Sequence, residues 1–324
     1  MFKQTLKIFF YRLSYLGQYQ AYLINKIKKN NYLPVLSLHR VSSELNSYWP
    51  PLSPNIFDAL LAYLKKHFTI TTFHELESTT KNQKPKLILS FDDGYYDFIE
   101  YAMPILKKHN LRVNQNIIPS LLLNQKPLWN IELYDFFNAA PLSLLKEMEV
   151  PGLNIKNAVT RTFNKTHFGI QVSRYFKNLT LEKRKPIMQF LEERYFIKLS
   201  NFPKTRMIHL SEMDDVLSEH EVGMHSYSHN SMNQESMTYF MDDFQKCKLF
   251  FEQNQFPGRD IYAFPNGNYN DEQLEYLLEN GVKYILLTGD RYAKMNNPTY
   301  PRFNIAALGT LEAIFQSLGI KQYL

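Results

Sequence analysis

The sequence predicts an α/β protein of parallel strands joined by crossover helices. Short apolar runs alternate with helical patterns, and several of the runs stop at a residue able to do chemistry. In chain order, residues 33–38 (LPVLSL) end at His39, and Ser53-Pro54 then starts a helix over residues 55–67. Residues 86–91 (KLILSF) end at Asp92, Asp93 and Gly94, and residues 112–118 (RVNQNII) read as a less regular strand. Residues 221–224 run into His225 and residues 261–264 into Pro265. A helix over residues 271–280 stops at Gly281, and residues 282–287 run into Thr288. Apolar runs of this length suit strands covered on both faces. Ligands gather at the C-terminal ends of such strands, which is where His39, Asp92, Asp93 and His225 fall. Residues from about 124 to 205 break the rhythm and read as a largely helical insertion without a full core of its own.

Composition narrows the class. Among 324 residues, 44% are hydrophobic and 21% charged, which excludes a disordered chain or a fibre. A lone cysteine, Cys247, cannot form an internal disulfide and fits a reducing compartment. No run reaches the ~18 apolar residues of a membrane span. Lys7 and Arg12 interrupt the first apolar stretch, so it makes a poor signal peptide. The expectation is a soluble, cytoplasmic protein. The net charge of +6 is concentrated in residues 1–31, where Lys3, Lys7, Arg12, Lys26, Lys28 and Lys29 precede the first acid, Glu44. Aromatic and aliphatic residues interleave with these bases. The segment therefore suits peripheral contact with an anionic membrane, or an amphipathic helix packed on its own domain. No nucleic-acid-binding signature accompanies it.

Two motifs carry chemistry. Asp92-Asp93-Gly94 follows a buried-strand pattern and precedes a glycine that can turn the chain sharply. Two carboxylates at a strand end can divide labour, one holding a metal and the other taking a proton. The pairs Asp214-Asp215 and Asp242-Asp243 read instead as solvated helix faces. In His225-Ser226-Tyr227-Ser228-His229, two histidines four apart would project from one side of a helical turn and could share a metal. Asp, His and His leave a coordination position open for water, the pattern of a catalytic metal site, which implies metal-assisted hydrolysis.

These residues resemble the polysaccharide deacetylases, carbohydrate esterase family four. Phe91-Asp92-Asp93-Gly94 is similar to the first motif of that family, and His225 to His229, preceded by Glu221-Val-Gly-Met, to the second. Ala263-Phe264-Pro265-Asn266-Gly267 resembles the third. The resemblance spans residues 32–305 and implies a distorted (β/α) barrel that removes N-acetyl groups from amino-sugar polymers with a divalent metal. Zinc leads the candidates, followed by cobalt, nickel and manganese. Carried over, Asp92 matches the general base, Asp93 the carboxylate ligand, and His225 and His229 the imidazole ligands. The family's usual C-terminal Leu-x-x-His is missing, since His229 is the last histidine. Residues 36–41 (LSLHRV) resemble the permuted opening of relatives that deacetylate biofilm poly-N-acetylglucosamine, which makes His39 the acid.

Two departures accompany the match. Ala263 and Phe264 stand where the third motif usually places an arginine before Pro265, and Arg302 from the last strand is the candidate replacement. The family's tryptophan-containing fourth motif is not evident. Pro265 and Asn266 are expected around the substrate, and Trp129 could stack on a sugar or pack in the core. His67, His74, His109, His167, His209 and His220 read as structural, without partners. The expected substrate is an N-acetylated glycan or a lipid-linked glycan precursor. The competing readings are a carbohydrate-binding protein of the same fold without turnover, and an O-acetyl esterase.

Overall fold

Ten strands order the described residues: β1 (Tyr32–Leu33), β2 (Val35–Leu38), β3 (Thr69–Thr71), β4 (Lys86–Phe91), β5 (Asn114–Ile117), β6 (Glu221–Met224), β7 (Ile261–Ala263), β8 (Tyr284–Thr288), β9 (Ala293–Lys294) and β10 (Thr299–Asn304). The computed structural model describes residues 18–44, 48–77, 84–124, 126–154, 164–199 and 201–320. Strands β2, β4, β5, β6, β7, β8 and β10 pair in parallel in chain order, and β10 returns to pair with β2. The result is a closed seven-stranded barrel wrapped by helices: the apolar runs give the parallel strands, and the family resemblance implied the barrel. Strand β3 pairs with Lys86 to Ile88 of β4, and β5 pairs further along at Ser90 and Phe91, so β3 stays outside the ring. Strands β1 and β9 form a separate antiparallel ribbon.

Local chemistry explains the outer helices. Helix Pro54–His67 starts with proline in its first turn and buries Phe57, Leu60, Leu61 and Leu64. That stripe recurs at helical spacing and faces the barrel's main apolar cluster. Helix Asp271–Glu279 opens on a capping box between Asn270 and Gln273. Strand β5 was the hardest to read because Asn114, Gln115 and Asn116 are polar yet buried.

Between β5 and β6 come the helices Trp129–Ala139, Leu142–Lys146, Lys165–Lys177 and Leu181–Arg194. The sequence suggests no full core here, and the structure corrects that. Phe136, Phe137, Phe168, Val172 and Phe176 gather into a second apolar cluster, joined by Tyr48 and Tyr95 from the barrel. The i, i+4 spacing of Phe168, Val172 and Phe176 makes the stripe, and each buried ring contributes about 1.5–3 kcal/mol.

Helix Gln18–Lys29 belongs to the basic N-terminal segment. It buries Leu23 and Ile27 and keeps Lys26, Lys28 and Lys29 in its last turn, where cations complement the helix dipole. Residues 1–17, with Lys3, Lys7 and Arg12, lie outside the described residues. Among the described residues no helix is long and apolar enough to cross a membrane. Several histidines read as unpartnered do have partners. His74 bridges Glu221 and Asp260, at 3.3 and 2.8 Å, and His109 meets Asp58 at 2.7 Å. The strand and helix termini that bring these carboxylates close are distant in sequence, so the pairs leave no local signal.

Candidate active site

The register of the barrel brings the motif residues out together. Leu38 of β2 pairs with Phe91 of β4, and the Asp92 N–H donates to the Leu38 carbonyl at 3.0 Å. His39 and Asp92 therefore leave adjacent strands at the same level. Asp93 and Gly94 follow with φ of 76° and 77°, in the left-handed region. This sharp turn lets both carboxylates face the cavity at the strand ends.

Asp92 is almost fully buried, and Arg302 of β10 grips it with Nη1 at 2.8 Å and Nη2 at 2.7 Å. Asn116 of β5 donates Nδ2 to the same carboxylate at 2.7 Å, and Ser90 of β4 joins the network through Arg302 and Asn114. The polar residues of β5 thus supply the barrel interior around Asp92. Burial pushes the Asp92 carboxyl up, but the charge of Arg302 and of nearby His225 outweighs it and holds the group at about 2. Asn116 and Ser90 escaped the sequence reading. Their only signal was polarity inside short strands, Ser90 in β4 and the run Asn114 to Asn116 in β5.

Asp93 meets the two histidines of the second motif. Its Oδ1 lies 3.2 Å from His225 Nε2 and 3.2 Å from His229 Nε2, and all three residues are buried. The histidines do not sit on a helical turn, which corrects that expectation. They flank an irregular loop in which Ser226 and His229 take φ of 58° and 55°. Asp243, expected on a solvated face, is buried and pins this loop by accepting from the N–H groups of Tyr227 at 2.8 Å and Ser228 at 3.1 Å. The Ser228 hydroxyl donates to it as well. Only Asp242 of that pair is exposed.

This trio fits a divalent ion. Nδ1 of His225 donates to the Ala263 carbonyl at 2.8 Å, which leaves the Nε2 lone pair facing Asp93. Asp93 Oδ1 is buried without a hydrogen bond among the described residues. Donors about 2.0–2.1 Å from a tetrahedral ion lie about 3.3 Å apart, close to the separations here. Burial raises the Asp93 carboxyl, yet His229 and His225 hold it well below its ordinary range.

Comparison with known proteins follows this geometry. The polysaccharide deacetylase family pattern matches residues 186–285, which include His225, His229 and the third motif. Over those residues the chain is similar to the polysaccharide deacetylase family. The match stops short of His39, Asp92 and Asp93, which join the site through the fold. A comparison of the sequence with curated proteins finds no match. Among solved structures, the chain is similar to the deacetylase PplD of Streptococcus pyogenes in complex with acetate, at 16% identity and a TM-score of 0.57, over 89% of this chain and 98% of that one. IcaB from Ammonifex degensii aligns at 14% identity and a TM-score of 0.56, over 89% and 97% of the two chains. A polysaccharide deacetylase from Bacillus cereus aligns at 14% identity and a TM-score of 0.54, over 89% of this chain and 69% of that one. At these identities the likeness speaks to the fold.

The site opens into a cavity of about 490 Å³. His39 lines it with Asp92, Asp93, His225 and His229. Burial lowers the His39 pKa, partly offset by Asp93 and Asp92. The aromatic wall beside His39 is Trp49, whose ring lies edge-on at 4.8 Å between centroids. Trp129, expected to stack on a sugar or to pack in the core, does not line this cavity. Its ring packs on Phe176 at 5.7 Å and under the Arg184 guanidinium at 4.7 Å, beside a separate cavity of about 590 Å³. Asn266 reaches the active-site cavity with φ of 55°, whereas Pro265 is buried behind it. Gly267, next in line, has φ of 66°, and a Cβ there would meet Thr288 Oγ1 at 1.7 Å.

Proposed function

We propose that this protein is a deacetylase that hydrolyses N-acetyl groups of amino-sugar residues, in a glycan or a glycan precursor, with the help of a divalent metal. The observation that carries the reading is the convergence of Asp93, His225 and His229 beside the Asp92–Arg302 pair in one cavity. Asp93, His225 and His229 are the residues to hold the ion, with zinc the first candidate, then cobalt, nickel or manganese. When bound there, the ion supplies Lewis-acid polarisation of the acetamide carbonyl and acidifies water.

The chain's own groups do the rest. Asp92, kept ionised by Arg302, accepts the proton of the attacking water. Arg302 and Asn116 fix the direction in which that carboxylate points. His39, at the matching level of the neighbouring strand, delivers a proton to the departing amine, which leaves poorly without one. The products are acetate and a free amino sugar.

Arg302 also bears on the binding-only alternative, whose ground was the arginine missing from the third motif. An arginine held on Asp92 from another strand supports turnover over binding alone. The basic helix Gln18–Lys29 suits a site of action at an anionic membrane surface on the cytoplasmic side, where a lipid-linked precursor would be met. Acetate release from paired N-acetyl and O-acetyl sugars, with and without chelator, tests the reading. Release from N-acetyl sugars that chelator abolishes supports it. Release from O-acetyl sugars alone would make the protein an esterase.

A further inference from the structure

The helical insertion does more than cover the barrel, because it sends Lys177 and Asn130 into the active-site cavity. Lys177 ends helix Lys165–Lys177, is partly buried, and pairs with no carboxylate among the described residues. Asn130, from helix Trp129–Ala139, is buried with its Oδ1 lacking a hydrogen-bond partner among the described residues. Two polar side chains with unused capacity therefore face the space above the Asp93 cluster.

The charges around them decide what would fit. Besides the phenols of Tyr48 and Tyr134, which burial keeps neutral, the ionisable groups lining the cavity are His39, Asp92, Asp93, Lys177, His225, His229, Asp290 and Arg302. Asp92 is neutralised by Arg302. The charge nearest in effect on Lys177 is Asp93, and a divalent ion held there would more than cancel it. Asp290 is exposed to water at the cavity wall and is correspondingly screened. In the metal-loaded state Lys177 is thus a partly buried ammonium facing net positive charge, a costly arrangement unless an anion offsets it.

We propose that Lys177 reads a carboxylate or phosphate on the acetylated sugar, or on the unit joined to it, while Asn130 Oδ1 accepts from a sugar hydroxyl. The preferred substrate class is then an acidic acetamido sugar. This rests on the deacetylase reading, and it adds the substrate's charge to it.

The test compares neutral N-acetylglucosamine with N-acetylmuramic acid, N-acetylglucosamine 6-phosphate and N-acetylglucosamine 1-phosphate. The carboxylate and the two phosphates separate the possible sources of the anion. For the metal-loaded wild type, kcat/KM for at least one anionic probe should exceed the neutral one by about tenfold, the scale of a charge-assisted hydrogen bond. Lys177→Met should lower that anionic-to-neutral ratio by about tenfold, towards parity, and Lys177→Arg should retain most of it. Calorimetry of the same probes on the metal-loaded Asp92→Asn variant supplies a readout independent of turnover, with the anionic affinity weakened by Lys177→Met. A ratio unchanged in Lys177→Met, or a wild type that prefers the neutral probe, would overturn the proposal. Absence of acetate from every probe together with Lys177-dependent anion binding would sink the deacetylase reading while supporting the anion site.

Discussion

Arg302 holds both oxygens of Asp92, at 2.8 and 2.7 Å, from a strand 210 residues away in sequence. The pair spans the barrel interior with both partners nearly excluded from water. Removing one member leaves the other buried and uncompensated. Arg302→Met should therefore lose about 3–5 kcal/mol of stability, the range seen when a buried pair is broken. Its kcat should fall at least tenfold more than its KM changes, since Asp92 loses its direction. Urea unfolding and steady-state acetate release measure the two effects, and Arg302→Lys should recover part of both. Wild-type kcat in Arg302→Met would remove Arg302 from the mechanism.

The two adjacent aspartates should separate experimentally. Asp93 lies against His225 and His229, whereas Asp92 lies against Arg302 and Asn116. Asp93→Asn and His229→Ala should lose metal in equilibrium dialysis. Asp92→Asn should keep metal and lose turnover by roughly 10²–10⁴-fold. Identical metal affinities for the two aspartate variants would erase the division of labour.

His39 gives a third expectation. It lines the cavity with the metal trio but is not one of the three converging donors. His39→Ala should bind metal as the wild type does, while its turnover falls by roughly 10²–10⁴-fold. Dialysis and acetate release on the same preparation check this, and wild-type turnover would exclude His39 as the acid.

His220 offers a stability test away from the chemistry. It is buried against Phe98, neither ring nitrogen has a hydrogen-bond partner among the described residues, and burial lowers its pKa to about 4. The unfolded chain, with a histidine near 6.5, binds the proton first as pH falls. Stability is therefore full above pH 6.5 and is lost as pH falls from 6.5 towards 4. A shift of this size is worth about 3 kcal/mol across that window. His220→Leu should flatten this slope, read as the difference in urea midpoints between pH 5 and pH 8. An unchanged slope would contradict the assignment.

The parts of the site legible in the sequence were those written as contiguous text. Phe91 to Gly94 and His225 to His229 announced themselves because a buried run ended in ligand-type residues. The parallel strands were legible because β2, β4, β7 and β8 are short, mostly apolar and largely buried runs. Strand β5 hid its importance because Asn114 and Asn116 serve the polar network around Asp92 rather than the apolar core. The loop after β6 was misread because His-x3-His spacing suits a helical turn and an irregular loop alike. Left-handed residues at Ser226 and His229 made it a loop, and Asp243 holds it from the following helix. Trp49 and Trp129 show the limit of composition. Both are large aromatic residues near loops, and only packing decides that Trp49 meets His39 while Trp129 meets Phe176 and Arg184.

Metal titration of chelator-stripped protein, followed by acetate release from an N-acetylated sugar, tests the central claim most directly. The account expects no release from the stripped protein and a linear recovery that saturates at one divalent ion per chain. Asp93→Asn should need a much higher metal concentration to reach any recovery. Full acetate release from stripped wild type, or recovery in Asp93→Asn at the same metal concentration, would contradict the account.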